Sequence, residues 1–153
     1  SVFQCVLLGV YPNLGFFKRP SATDKAATLE ALEQVNMLEY KDRQIGELSG
    51  GQFQRILIAR ALVQQAEILF LDEPFVGVDI NSEKLIIDLL KDLAKAGKII
   101  YMVHHDMTKI EEYFNKLILI DKKIIAHGET KDVFTKENMR KTFSVFELPL
   151  FNE

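Results

Sequence analysis

Two short apolar runs separated by a helix constrain the fold of this chain more than any other feature. Residues 68–71 and 99–103 are continuously apolar and have the length of ordinary strands. Such runs are typical of strands that are buried on both faces of a parallel sheet. The segment between them predicts a helix over about 82–96, closed by Gly97 in the left-handed conformation. The order strand, helix, strand predicts an α/β fold.

Periodicity and turn residues divide the rest of the chain. Because Ser21 precedes Asp24 by three residues, a helix is expected to start there. Before the first apolar run, the predictions are a helix over 1–10, an irregular loop over 11–20, the Ser21 helix to about 37 and a helix after Gly46. After the second run, they are a short helix over 108–114, a strand over 117–120, a turn at 121–123 leading into 124–126, and a helical tail over 130–143.

Composition excludes several classes of protein. The chain has 153 residues, a net charge of −3 and a pI of about 5.7, which give no argument for a nucleic-acid partner. The single cysteine, Cys5, cannot form an internal disulfide and is expected to be buried in a protein of a reducing compartment. No run is long enough to span a membrane, and the first residues lack a basic signal-peptide region. The chain opens on Ser1 and is apolar at once, which predicts a start inside a domain.

The stretch LSGGQFQR places two glycines where a helix is about to begin. Ser49 and Gln52 have the spacing of a capping box, which satisfies the first free N–H groups of a helix. Gly50 and Gly51 lower helix propensity, so a simple cap would not favour them. A bare backbone at a helix N-terminus suits the binding of phosphate. The sequence nevertheless contains no Gly-x-x-x-x-Gly-Lys-Ser/Thr loop that would hold one.

Two adjacent carboxylates, Asp72 and Glu73, follow the first apolar strand. Open α/β sheets place their ligands at this end of a strand. Asp72 is expected to hold Mg²⁺ through water, and Glu73 to orient and deprotonate an attacking water. Pro74 ends the strand. The alternative is an ordinary acidic turn on the surface.

The second strand ends in His104-His105-Asp106. A histidine at that position could hydrogen-bond a terminal phosphate or the attacking water. The alternatives are a structural role or a metal site, and the metal site is disfavoured because consecutive side chains of a strand point in different directions. His127 is expected in a turn, with a structural role.

Four motifs occur in the order, and at roughly the spacing, found in ATP-binding-cassette (ABC) ATPases. The first resembles the signature of that family, the second its Walker B strand, the third its D-loop, and the fourth contains its switch histidine. We assign that histidine to His105 because it directly precedes the acidic residue. The motifs are LSGGQFQR at 48–55, ILFLDEP at 68–74, VGVD at 76–79 and VHHD at 103–106.

The resemblance implies an α/β, P-loop-NTPase-like fold that is incomplete in this sequence. Residues 1–47 would be part of the helical subdomain, 48–129 would be the signature helix with the C-terminal part of the parallel-sheet core, and 130–153 a C-terminal helical tail. The Walker A loop, the adenine-stacking aromatic and the Q-loop glutamine precede the signature in the family and are absent from these 153 residues. The isolated chain is therefore predicted neither to bind ATP tightly nor to hydrolyse it.

A folding prediction follows from the same absence. In the family the Walker A strand would lie between the strands at 99–103 and 117–120. Unpaired strand edges promote aggregation. The isolated chain is therefore expected to be poorly soluble or loosely folded.

The resemblance also implies partners and cofactors. Two such subunits meet head to tail as a homodimer around ATP and Mg²⁺. Ser49, Gly50, Gly51 and Gln52 would touch the ATP held by the other subunit, and Asp79 would link the two nucleotide sites. Glu73 and His105 would be the catalytic residues and Asp72 the Mg²⁺ ligand.

Further segments resemble the ATPase subunits of importers for manganese, zinc or chelated iron. They are DRQIGELSGGQ, DEPFVGVD, VHHDM and GVYPNLGFFKRPSATD. This resemblance implies a membrane permease as partner, an extracytoplasmic metal-binding protein acting indirectly, and a cytoplasmic position on the inner face of the membrane. The aromatic loop 11–17 would contact the permease or, alternatively, pack on its own domain.

Three other functions remain open at the level of sequence. The first is an ABC ATPase that serves another importer or an exporter. The second is a non-transport ABC protein, although such proteins usually carry a second cassette or a long coiled coil. The third is a non-catalytic cassette remnant that acts as an interaction module.

Overall fold

Two compact units make up the computed structural model, which describes residues 1–14 and 18–143. The first unit is Ser1–His104 and the second begins at His105. Both helices and strands are present, as the α/β prediction requires. Within the described residues no helix combines the length and apolar character needed to cross a membrane.

Three helices form the first part of the first unit. The bounds are Val2–Leu7 for α1, Ala22–Gln34 for α2 and Gly50–Val63 for α3. Each starts after a serine whose hydroxyl accepts an N–H from the third helical residue, with the side chain of that residue returning to the serine N–H. Short 3₁₀ helices lie at Leu8–Asn13, Leu38–Tyr40 and Ile45–Glu47.

The helices enclose a continuous hydrophobic core. Side chains that are fully buried come from all three, and α4 (Ile80–Lys95) adds two more. Cys5 packs against this core and is half-buried. The principal buried residues are Val2, Val6, Leu32, Val35, Met37, Ile56, Ile58, Ile86 and Leu90.

The two apolar runs form a parallel two-stranded sheet, as predicted. Strand β1 is Ile68–Asp72 and β2 is Ile99–Val103, in a register that pairs Asp72 with Val103. The connecting helix α4 is followed by Gly97 at φ +95°, which confirms the predicted left-handed cap.

The predicted burial of both sheet faces is wrong for this structure. One face, formed by Leu69, Leu71, Ile100 and Met102, is buried or half-buried. The opposite face is exposed, because the described helices of this unit cover one side of the sheet only. Its residues are Ile68, Phe70, Ile99, Tyr101 and Val103, with Phe70 stacked on Tyr101 at 5.2 Å between ring centroids.

The second unit is built on an antiparallel hairpin. Helix α5, Ile110–Tyr113, follows a 3₁₀ turn, and the strands are β3, Lys116–Asp121, and β4, Lys123–Glu129. Lys122 turns the chain at φ +56°. A small core forms where Leu119, Val133 and Met139 meet.

Two predictions for this unit are wrong. His127 lies within β4, opposite Ile118, and not in a turn. The tail is not one helix but two, α6 at Thr130–Val133 and α7 at Lys136–Thr142. The break is stabilised locally because Thr135 caps α7 by accepting the Asn138 N–H at 3.3 Å, while the Asn138 side chain donates to the Val133 carbonyl at 3.0 Å.

The predicted loop at 11–20 also differs. Its first residues complete the 3₁₀ helix Leu8–Asn13, which contains Pro12. The expected permease-contacting loop extends to residues 15–17, which lie outside the described residues, as does the end of the predicted tail at 144–153.

Candidate functional site

The signature stretch forms the start of α3, as its spacing predicts. The Ser49 hydroxyl accepts the Gln52 N–H at 3.3 Å, and the Ser49 N–H donates to Gln52 Oε1 at 3.0 Å. Ser49 and Gly50 are exposed, whereas Gly51 is buried. The capping box therefore holds the first turn of the helix with its N-terminus open on one side.

The two glycines are required by a close approach inside the chain. A Cβ on Gly50 would lie 2.7 Å from the Gly77 carbonyl oxygen, and one on Gly51 would lie 2.5 Å from Ser82 Cβ and 2.7 Å from its hydroxyl oxygen. No side chain fits at these separations without displacing the neighbouring segment. The predicted reason for the glycines was approach to a phosphate, and sequence reasoning missed Gly77 and Ser82. The available signal was a glycine pair at the first two positions of a helix, where propensity disfavours it.

The loop ahead of α4 presents Asp79 at the same place. Asp79 is the N-cap of α4, and its Oδ1 accepts the N–H groups of Asn81 at 3.1 Å and Ser82 at 3.0 Å. The hydroxyl and then the N–H of Ser82 hold the pKa of the Asp79 carboxyl below its ordinary value. Gly77 makes the preceding turn at φ +73°. Thus the structure brings the signature stretch and Asp79 together through two helix starts that pack on each other.

The acidic pair stands at the carboxyl end of β1. Asp72 is the last residue of the strand, and both carboxylates are exposed. Glu73 has φ +44°, which is unusual for a residue with a side chain. Its N–H donates to the Val103 carbonyl at 3.2 Å, and its own carbonyl accepts the Val76 N–H at 3.2 Å. These two bonds fix the left-handed turn by which Glu73 leaves the sheet, at a conformational cost of about 1–3 kcal/mol.

The donor set at this strand end suits Mg²⁺ better than a metal that needs a protein cage. Within the described residues no three His, Cys, Asp or Glu side chains group as ligands. Mg²⁺ is usually held by one or two carboxylates with waters and phosphate oxygens supplying the rest. The exposed Asp72 carboxylate beside Glu73 fits that requirement.

The two histidines fall on either side of the boundary between the units. His104 is half-buried and meets Phe75 edge to face, with ring centroids 5.6 Å apart. His105 is exposed and opens the second unit. Asp106 caps the next turn, since its Oδ1 accepts from the N–H and hydroxyl of Thr108. Because His105 and Glu73 belong to different units, their predicted convergence on one phosphate stays a prediction.

Known proteins resemble the chain along most of its length. Residues 3–76 match the ABC transporter family. Over 140 residues, 92% of the chain, it is 56% identical to the manganese transport system ATP-binding protein MntB of Listeria monocytogenes and covers 58% of that protein. It is 46% identical over 143 residues, 94% of the chain, to the zinc transport system ATP-binding protein TroB of Treponema pallidum, covering 54% of it.

A solved structure gives the same result for the fold. An ABC transporter assigned to the metal-chelate type, in an inward-facing conformation, superposes with a TM-score of 0.86 at 31% identity. The superposition covers 94% of this chain and 58% of the transporter chain. The chain therefore spans little more than half the length of the relatives it matches.

Proposed function

Because this chain belongs to the ABC transporter family, we propose that it forms the signature and Walker B part of an ATP-hydrolysing subunit that powers metal-ion import. The observation that carries the ATPase proposal is the arrangement of two motifs in one unit. The capped signature helix packs against the Asp79 loop, and the carboxylates of Asp72 and Glu73 stand exposed at the end of the strand that leads into that loop.

Glu73 is the proposed general base. Its backbone is fixed by hydrogen bonds from its N–H and to its carbonyl, and the residue is exposed at the carboxyl end of β1. A carboxylate so placed can orient a water and accept its proton as the water attacks a phosphorus atom. Asp72 would hold Mg²⁺, partly through water. When bound, Mg²⁺–ATP supplies the phosphoryl group and the charge neutralisation that the reaction needs.

The remaining site residues act at the nucleotide from other directions in this proposal. His105 would hydrogen-bond the terminal phosphate or the attacking water. Ser49, Gly50, Gly51 and Gln52 would contact the nucleotide held by a second, head-to-tail copy, since the N–H groups of a helix start favour phosphate. Asp79 would connect the two sites.

The proposed cargo is a metal ion of the manganese, zinc or chelated-iron type. The support is the likeness to relatives named for manganese and zinc transport and to the metal-chelate transporter. The proposal includes a membrane permease that docks on 1–47, an extracytoplasmic metal-binding protein that acts indirectly, and a position on the inner face of the cell membrane, without nucleic acid. In this proposal residues 48–129 contain the catalytic residues, and residues 130–153 form the C-terminal tail. This division is by function and does not follow the boundary between the two compact units.

The test is Mg²⁺-dependent ATP hydrolysis by the protein expressed from its complete reading frame. Glu73→Gln keeps the size of the side chain and removes the base, so turnover should fall about 10²-fold or more while ATP still binds. Asp72→Asn should instead weaken Mg²⁺ binding, so that half-maximal turnover needs a higher Mg²⁺ concentration. Turnover that is equal in the parent protein and in Glu73→Gln would refute the assignment.

The isolated 153 residues provide a second outcome for the same assay. They contain no phosphate-cradling loop, so they should neither hydrolyse ATP nor bind it tightly. Uptake of labelled Mn²⁺ and Zn²⁺ by the intact system, lost in Glu73→Gln, would then test the cargo. Uptake of neither ion by an active ATPase would favour an ABC ATPase that serves another substrate.

A further inference from the structure

We propose that Ser82 is a positioning residue that fixes the start of α3 against the loop ahead of α4, so that residues 49–52 and Asp79 are presented as one rigid body. The inference rests on the proposed function only in one respect, namely that residues 49–52 and Asp79 face a nucleotide held by a second copy. The contact itself lies within the first unit and depends on no nucleotide. Ser82 lies against the signature stretch through its Cβ, which is close to Gly51, and bonds Asp79 through its backbone N–H.

The first contact is steric. Gly51 is buried at the start of α3, and any Cβ there would fall 2.5 Å from Ser82 Cβ and 3.3 Å from Val78 Cγ1. Gly50 is equally close to the loop through the Gly77 carbonyl. Two helices can approach this closely only where one presents a bare backbone. The signature stretch is thus seated on the residues that surround Asp79.

The second contact is polar. Asp79 Oδ1 accepts the Ser82 N–H at 3.0 Å. The hydroxyl and then the N–H of Ser82 hold the pKa of the Asp79 carboxyl below its ordinary value. Removing the hydroxyl would leave the backbone cap and loosen the side chain. Ser82 therefore fixes the orientation of the carboxylate as well as the position of α3.

Both α3 and α4 continue from this contact into the same hydrophobic core. A displacement of the start of α3 can therefore be transmitted to the start of α4. Four residues beyond Ser82, α4 enters the core with Ile86, and α3 enters the same core with Ile56 and Ala59. A well-packed core resists small shifts. When the nucleotide of a second copy displaces the signature stretch, Asp79 should consequently move with it.

A double-mutant cycle tests the contact. Gly51→Ala should lower the urea midpoint of the protein from the complete reading frame, because its methyl group meets Ser82. In the Ser82→Gly background the same substitution should cause at most half that shift. Gly46→Ala is the matched control, since nothing lies within 4 Å of a Cβ at Gly46, and its effect should not depend on residue 82.

Additive shifts in the cycle would overturn the proposal. If Gly51→Ala does not fold, recovery of a cooperative transition in the double variant supports the contact, and failure of both variants to fold overturns it. A parent protein without ATP turnover would refute the proposed function while leaving the cycle decisive for Ser82.

A catalytic readout separates positioning from plain stability. In an active parent, Ser82→Gly should lower kcat about tenfold at an unchanged KM for ATP, because a small misplacement of a positioning element acts on the reaction step. Ser82→Ala keeps the Cβ and should recover at least half of the lost turnover. In that variant the pKa of Asp79, followed by NMR, should rise towards its ordinary value. Equal kcat in the parent and Ser82→Gly would contradict the positioning role.

Discussion

The three-helix part of the first unit and its two-stranded sheet bury their apolar side chains in different ways. The helices pack against one another around a shared core, in which Leu32 and Ile56 are fully buried. The sheet buries one face and leaves Phe70 77% and Tyr101 45% exposed on the other. Both segments are rich in apolar residues, so composition does not distinguish them. The difference is that the helices cover one another, whereas a sheet needs a separate layer on each face.

The difference bears on the predicted behaviour of the isolated chain. An exposed apolar face and unpaired strand edges both favour self-association. Within the described residues β1 and β2 pair only with each other. The prediction of poor solubility therefore has a second physical basis, which the sequence did not reveal.

The largest expected effect is in the closed region. Ile56→Ala should lower the free energy of unfolding by about 2–5 kcal/mol, since Ile56 is fully buried in the core that the helices share. The matched control is Ile80→Ala, at a residue that is 81% exposed at the start of α4, which should change it by less than about 0.5 kcal/mol. Urea unfolding of the two variants measures the contrast. Equal losses would mean that the helical core is not closed.

The exposed sheet face should respond in the opposite sense. Replacing Phe70 and Tyr101 together with Thr removes apolar surface and keeps β-propensity, so light scattering should show less self-association. The unfolding free energy should fall by only about 0.5–1.5 kcal/mol, because the stacking of Phe70 on Tyr101 is lost. Leu71→Thr, on the buried face, is the matched control and should destabilise the protein without reducing association. A large loss of stability in the outward double variant would show that this face is covered.

The smallest effect on stability is expected at Asp79, the N-cap of α4, the helix that connects β1 to β2 and packs into the helical core. The pKa of Asp79 is lowered in the folded state, so its contribution to stability is present above roughly pH 4, the ordinary range of Asp, and is lost as the pH falls through the lowered pKa. Asp79→Asn should therefore unfold with a shallower loss of stability in acid than the parent protein. Parallel stability curves for the two proteins between pH 5 and 2 would contradict this.

Local sequence signals predicted much of the fold. The start of α3 at Ser49 is confirmed because a capping box is satisfied by residues three apart. The left-handed Gly97 is confirmed because only the end of a single helix is involved. The hairpin around Lys122 is confirmed for a similar reason, because a short turn joins its two strands. The parallel pairing of β1 with β2 is also confirmed, although it joins distant residues, because two apolar runs separated by a helix are typical of a strand–helix–strand unit.

The failures have two physical causes, one long-range and one local. Burial of β1 on both faces was inferred from its apolar run, but a run cannot show which layers are present to cover it. The tail divides because the Asn138 side chain bonds the Val133 carbonyl at 3.0 Å, which competes with a continuous helix. Asp72, Glu73 and the signature stretch were found from a strand end and a helix start, whereas His105 and Asp79 were assigned by resemblance. The roles of all these residues stay predictions.

The glycine pair of the signature shows what the sequence determines and what only the tertiary structure determines. The sequence by itself determined that a helix begins at Ser49, that a bare backbone follows, and that two carboxylates end the first strand. Only the tertiary structure showed that Gly50 and Gly51 lie against Gly77 and Ser82. The reason is physical: capping is settled between residues three apart, whereas the space available to a Cβ is set by a segment that lies about thirty residues away and reaches the helix only when α4 packs into the core.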